Sequence, residues 1–203
     1  MPRTGPRLKV IRRLGTPLPG LTRKSAERRP HPPGQHGQGK RRTTKTDYRR
    51  RLEEKQRLRF HYGISEGQLR NYFEEAVRRR GVTGEMLLGM LERRLDNVVF
   101  RLGFAPTIPS ARQLVTHGHV QVNGRRVDRA AALVDRGDEV SVSPAARAIP
   151  GVAQSVESGP QVALPSYLER GADPFTGRVI GGVTRQDIPF LVDETAIVEF
   201  YAR

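Results

Sequence analysis

The chain has 203 residues, 36% of them apolar and 28% charged, and carries 36 Lys and Arg against 21 Asp and Glu for a formal net charge of +15. That length accommodates one large domain or two small ones. The absence of cysteine excludes disulfides, thiolate metal ligands and cysteine catalysis, and fits a reducing cytoplasm. No apolar segment approaches membrane-spanning length, and Pro2-Arg3-Thr4-Gly5-Pro6-Arg7 leads into no signal-like apolar stretch, so the sequence reads as cytoplasmic.

Residues 1–60 hold 19 Lys and Arg against 4 Asp and Glu, whereas residues 61–203 hold 17 against 17. A basic arm is therefore joined to a neutral body, an asymmetry that points to a polyanionic partner. A merely solvated charge run leaves its confinement to one end unexplained. A membrane surface would want an apolar face between the charges, and Pro17, Pro19, Pro30, Pro32 and Pro33 interrupt any long amphipathic helix. Residues 1–45 are expected to form an extended arm that does not fold alone. Gly34-Gln35-His36-Gly37-Gln38-Gly39-Lys40 spells part of a nucleotide-binding loop, but Arg41 replaces the required Ser or Thr and no strand precedes it. Its glycines instead let backbone run close to a phosphate-lined surface. His31 and His36 fall short of the four donors of a closed zinc site, so no metal is expected.

Tyr48, Leu52, Lys55, Leu58 and Tyr62 track one face of a helix that stops at Gly63. Ser65 opens a capping box with Gln68, and Leu69, Tyr72, Phe73, Ala76 and Val77 give the next helix its buried face before Gly81. These aromatics follow the helical period and are assigned to core rather than to base stacking. Leu87, Leu88, Leu91, Leu95, Val98, Val99 and Leu102 predict one helix ending at Gly103, with Arg94 and Arg101 on another face. Pro106 and Pro109 mark a loop, and Ser110 is the expected cap of a short helix from Ala111 to His117, which Gly118 ends and which holds Arg112 near its positive end.

His119-Val120-Gln121-Val122 alternates polar with apolar, Asn123-Gly124 signals a two-residue hairpin, and Arg125-Arg126-Val127 returns. After the turn Asp135-Arg136-Gly137-Asp138, Val140 and Val142 predict one more half-buried strand. Ala145 to Gly159 reads as a connection, and Leu164 to Gly182 is too rich in Gly and Pro to assign. Ala196 to Tyr201 suits either a strand or a helical turn. The predicted class is α+β: a basic arm (1–45), a helical domain (46–86, completed by 185–203), and a helix-helix-hairpin module with a small, mostly antiparallel sheet and a following irregular segment (87–184).

Arg94-Leu95-Asp96-Asn97, Gly103-Phe104-Ala105, Ala111-Arg112-Gln113-Leu114-Val115, Gly118-His119-Val120, Val122-Asn123-Gly124 and Gly137-Asp138 carry a specific resemblance. Nearly position for position they resemble the RNA-binding module of the small-subunit ribosomal protein number four family. The likeness extends to Leu52 through Arg59 with Tyr62-Gly63-Ile64, and to Ile197 through Arg203. Met1 to Leu21 with Pro33 through Gly37 resembles the zinc-free, bacterial or organellar form of the arm. Thr107-Ile108-Pro109 departs from it, standing where a more basic loop is expected.

The resemblance implies a structural protein, not an enzyme, that binds small-subunit ribosomal RNA at a junction in the five-prime domain and nucleates assembly of the subunit body. It also implies contact with small-subunit ribosomal protein number five and other subunit proteins, at an interface affecting translational accuracy to which Glu199–Arg203 contributes. No cofactor, membrane or small-molecule substrate is implied. RNA contacts are expected from Arg12, Arg13, Lys40, Arg41, Arg42, Lys45, Arg49 and Arg50 in the arm and first helix. The module would add Arg93, Arg94, Arg112, Gln113, His117, His119, Arg125 and Arg126. Asp96 and Asn97 are assigned to structure. The rival function is an RNA-modifying enzyme or ribosome-associated quality-control factor carrying the same module, although the roughly 90 residues before it and 60 after it show no catalytic loop.

Overall fold

The computed structural model describes residues 5–39 and 46–202, and its class is the α+β expected from sequence. The chain divides into two compact units, residues 1–87 with 190–203 and residues 88–189. The boundary falls inside helix α4, Thr83–Glu92.

The first unit is helical, but its arm is not extended throughout. Arg7–Leu14 forms α1, which Gly15 ends in the left-handed region at φ 68° with its N–H 2.8 Å from the Ile11 carbonyl. Ile11, Leu14, Leu18 and Leu21, spaced at three and four residues, are all buried. Burial of those aliphatic side chains overrides the proline-rich, charged composition that predicts an open arm. Helix α2, Asp47–His61, is capped by Thr46, and α3, Glu66–Arg78, has the anticipated Ser65–Gln68 capping box. Leu58, Tyr62, Leu69, Phe73 and Ala76 are buried as predicted, whereas Tyr48 and Val77 are more than half exposed.

The C-terminal segment resolves to a helix, α9, Glu194–Tyr201, because Asp193 accepts the Ala196 N–H at 3.0 Å and Ala196 and Ile197 are buried. It packs along α2 and against α3. Phe73 stacks on Tyr201 with ring centroids 4.9 Å apart, and Lys55 places Nζ over the Phe200 ring at 4.4 Å.

The second unit packs helices on a five-stranded antiparallel sheet of order β2-β1-β3-β5-β4. The strands are β1 Val120–Val122, β2 Arg125–Arg126, β3 Glu139–Val142, β4 Leu168–Arg170 and β5 Thr176–Val179. Asn123, at φ 51°, and Gly124, at φ 74°, make the hairpin turn that their dipeptide predicts. The Asn123 side chain also accepts the Glu139 N–H at 2.9 Å and donates to Asp138 at 2.8 Å, tying the turn to β3.

The single helix predicted to Gly103 is two: α4 ends at Glu92 and α5, Leu95–Arg101, begins after Arg94 adopts extended backbone (ψ 137°). The break lets backbone from 93 to 96 pair with the 130–134 segment. Leu95 N–H donates to Ala132 O at 2.8 Å and Asp96 N–H to Ala130 O at 3.2 Å, so the first donors of α5 are satisfied from outside the helix. Helix α6 runs Ile108–Thr116, three residues earlier than expected, because Thr107 rather than Ser110 is its cap. The segments whose composition predicts a connection and an irregular stretch are ordered: α7 (Pro144–Arg147) and α8 (Pro150–Ser158) occupy the first, and β4 and β5 lie in the second. Gly177 in β5 is required by close approach, since a Cβ there would collide with the Leu102 side chain at the end of α5.

Candidate nucleic-acid interface

The arginines of the module separate into internal and external sets. Arg94, 1% exposed, donates from Nε and Nη2 to the two carboxylate oxygens of Asp96 at 3.0 and 2.8 Å. Arg112 reaches the same carboxylate from α6 at 2.9 and 2.6 Å, and its side chain is 13% exposed. One buried carboxylate thus pairs with two guanidinium groups and bridges α5 to α6. The sequence places both arginines at the RNA. Arg94 is corrected to an internal role because burial leaves it no surface, and Arg112 is mostly enclosed by the same pairing. Arg93 is intermediate: its Nε donates to Val134 O at 2.9 Å and its guanidinium pairs with Asp135, a largely exposed carboxylate.

A second buried cluster surrounds Glu92. Its Oε2 accepts from Arg101 Nε and Nη2 at 3.1 and 3.0 Å, from Asn97 Nδ2 at 2.8 Å and from the Tyr167 hydroxyl at 2.8 Å. Arg101 also donates to Asp187 O at 2.7 Å. Burial, and then the Glu92 charge, push the Tyr167 phenol well above its ordinary range, so it stays a proton donor to that carboxylate. Asn97 is structural here, as Asp96 is in its own cluster.

The external set gathers at the end of α6 and on the hairpin. Gln113, His117, Arg125 and Arg126 are exposed and His119 is half-buried. The His117 and His119 rings lie edge to face with centroids 6.1 Å apart, beside a groove of about 290 Å3 bounded by Phe104, Pro106, Leu114, Ile149 and Val152. The guanidinium of Arg126 occupies the space a Cβ at Gly118 would need, which brings β2 against the end of α6. Gly118 is at φ +74°, so glycine is favoured there by conformation. Gln113, His117 and His119 therefore stand at one groove with Arg126 against the adjoining end of α6, Arg125 is exposed on the same strand, and the fork-shaped arginine donors suit phosphate. Arg129 and Arg136 are also exposed in the loop after the hairpin.

In the first unit Arg13, Arg49 and Arg50 are exposed, Arg49 pairing with Glu53 at 3.1 Å and Arg50 with Asp193 at 2.7 Å. Arg12 is half-buried and donates to the carbonyls of His31 and Pro32 at 2.8 and 3.4 Å, holding the glycine-rich loop against α1. Lys40, Arg41, Arg42 and Lys45 lie outside the described residues. Among the described residues no three His, Asp or Glu side chains gather where a metal would sit, and no helix is long and apolar enough to cross a membrane.

Comparison with known proteins fits this division of the chain. Residues 2–92 match the family model "Ribosomal protein S4/S9 N-terminal domain" and residues 93–140 match the "S4 domain". The chain is 48% identical to the small ribosomal subunit protein uS4 of Methylobacillus flagellatus over 98% of its own length and 97% of that protein's. It is 50% and 51% identical to the uS4 proteins of Trichormus variabilis and Microcystis aeruginosa, over 98% of this chain and 96% of each. Matched by both models and by relatives along nearly its whole length, the chain belongs to the uS4 family of small ribosomal subunit proteins.

Proposed function

We propose that this protein is a structural component of the small ribosomal subunit that binds ribosomal RNA directly, at a junction in the five-prime domain, and nucleates assembly of the subunit body in the cytoplasm. The observation that carries this function is the surface formed by Gln113, His117, His119 and Arg126, with Arg125 exposed on the same hairpin, which remains open after Arg94 and Arg112 are engaged internally. A rigid cationic surface fits RNA read by shape and phosphate position, because the A-form major groove is too narrow for side chains. Arg13, Arg49 and Arg50 add charge from the arm and first helix.

Contact with small-subunit ribosomal protein number five, and through it an influence on decoding accuracy, is part of the same proposal. Glu199, at the C-terminal end, is exposed and pairs with Arg51 at 2.7 Å. The test of a structural role is stoichiometry in purified small subunits washed at high salt. One copy per subunit is expected; loss on washing would instead favour a ribosome-associated factor.

A further inference from the structure

We infer that Asn123 is a conformation-gated deamidation site, its side-chain amide held away from the Gly124 nitrogen by the start of β3 and released to it when the hairpin opens. Of the chain's asparagines, Asn71, Asn97 and Asn123, only Asn123 precedes a glycine. Glycine leaves its backbone nitrogen the least hindered, and the space a Cβ would fill at Gly124 is open. Both residues are exposed, so water reaches them. The reaction needs no other reagent. The Gly124 nitrogen attacks Cγ of Asn123 and forms a new N–C bond; the Cγ–Nδ2 bond breaks, and ammonia leaves with the proton lost from Gly124. Water then opens the five-membered imide at either carbonyl, leaving aspartate or, with the chain rerouted through the side-chain carbon, isoaspartate.

In the folded protein both ends of that amide are occupied. Its oxygen accepts the Glu139 N–H at 2.9 Å and its nitrogen donates to Asp138 Oδ1 at 2.8 Å. The Asn123 N–H also donates to Glu139 O at 2.9 Å, which anchors the backbone on the same residue. Asp138 is itself fixed, because its Oδ2 accepts the Asp135 N–H at 2.7 Å. With backbone and amide tied to the neighbouring strand, Cγ cannot swing onto the Gly124 nitrogen until these bonds part. The bond to a carboxylate is the strongest of them, which makes Asp138 the gate. Conversion then holds the gate open: aspartate at this position has no donor for Asp138 and sets two like charges side by side, while isoaspartate lengthens a two-residue turn and breaks the Val122–Arg125 register. Either product loosens β2 and adds negative charge beside Arg125 and Arg126. Weaker RNA binding follows, a consequence that rests on the function proposed above.

The test incubates the full-length protein at mildly alkaline pH, native and unfolded in guanidinium chloride, and follows the tryptic peptide 113–125 by mass spectrometry with enzymatic methylation of isoaspartate. Native conversion is expected to be on the order of a hundredfold slower than unfolded conversion, because it waits for local opening. Asp138→Ala is expected to speed the native rate roughly tenfold, the scale of a hydrogen bond to a charged group. Should that variant fail to fold, hydrogen exchange of the wild-type Glu139 N–H reads the same opening, and conversion is expected to rise in step with it as denaturant is added below the unfolding transition. Equal rates in native and unfolded protein, or no conversion in the unfolded chain, overturns the site. A folded Asp138→Ala that converts no faster than wild type, or conversion that rises without Glu139 exchange, overturns the gate. Converted protein, separated by charge, is expected to bind a five-prime-domain fragment several-fold more weakly; equal affinity overturns the consequence for RNA and leaves the gated site standing.

Discussion

Arg112 Nη2 lies 2.6 Å from Asp96 Oδ2, an ion pair between α6 and α5 whose carboxylate is 1% exposed. Its position near the start of α6 predicts a residue offered to phosphate; the geometry makes it a brace. Removing one member of a buried charge cluster costs about 3–5 kcal/mol, because the remaining charge loses its partner. Asp96→Asn is expected to lower stability on that scale in urea unfolding. Arg112→Ala is expected to lose about 1.5–3 kcal/mol, the range for hydrogen bonds to charged groups. Weakened RNA binding by Arg112→Ala at unchanged stability would contradict the brace.

The Glu92 cluster makes a related prediction with a graded outcome. Tyr167→Phe removes one donor to a carboxylate that keeps Arg101 and Asn97, and is expected to cost about 1.5–3 kcal/mol. Glu92→Gln leaves Arg101 buried without its counter-charge and is expected to cost more, about 3–5 kcal/mol. Equal losses in the two variants, by urea unfolding at neutral pH, would show that the carboxylate charge is not what holds the cluster.

Acid should loosen both units. In Asp187 and Glu66 burial acts to raise the carboxyl, but Thr184 and Ser166 hydrogen bonds outweigh it in the first and those from Lys55 and Tyr201 in the second; Asp193 is lowered chiefly by its Arg50 hydrogen bond. All three therefore titrate below their ordinary values of 3.8, 4.5 and 3.8. A depressed carboxyl contributes its stability fully above the unfolded value and loses it as pH falls through the folded one. Thermal midpoints are expected to hold from neutral pH to about 5 and to fall below about 4.5. Asp187→Asn should reduce that fall; a profile identical to wild type would exclude Asp187 as a contributor.

At the hairpin, Arg125→Ala with Arg126→Ala removes two exposed cations and no core contact. The pair is expected to reduce the salt slope of RNA binding by about 1 to 2 and affinity with it, while the urea midpoint stays within about 0.5 kcal/mol of wild type. An unchanged slope would remove this strand from the interface.

Sequence pattern made the hairpin, the Ser65 cap and the α2 and α3 core positions legible because each depends on neighbouring residues. What escaped depends on distant ones. The break between α4 and α5 is stabilised by carbonyls from 130–132, which no window around Arg94 contains. Likewise β5 forms because β3 and β4 flank it, and glycine at 177 is the sign of packing against Leu102 rather than of irregularity. At the candidate site the residue type identified cations but not their partners: Arg94 and Arg125 look alike in sequence, and only Asp96 separates them. Tyr48 shares the helical period of Leu58 and Tyr62 yet is 58% exposed, its ring meeting that of Phe200 at 6.0 Å between centroids, so periodicity alone placed it in the core.

The proposed function requires that the protein recognise a particular ribosomal RNA structure rather than RNA charge in general. The most direct measurement is the affinity of the intact protein for a five-prime-domain fragment and for an unrelated RNA of the same length across a salt series. Both affinities are predicted to fall with salt while the preference for the fragment persists, since phosphate contacts screen and shape complementarity does not. Equal affinity for the two RNAs at every salt concentration would contradict the account.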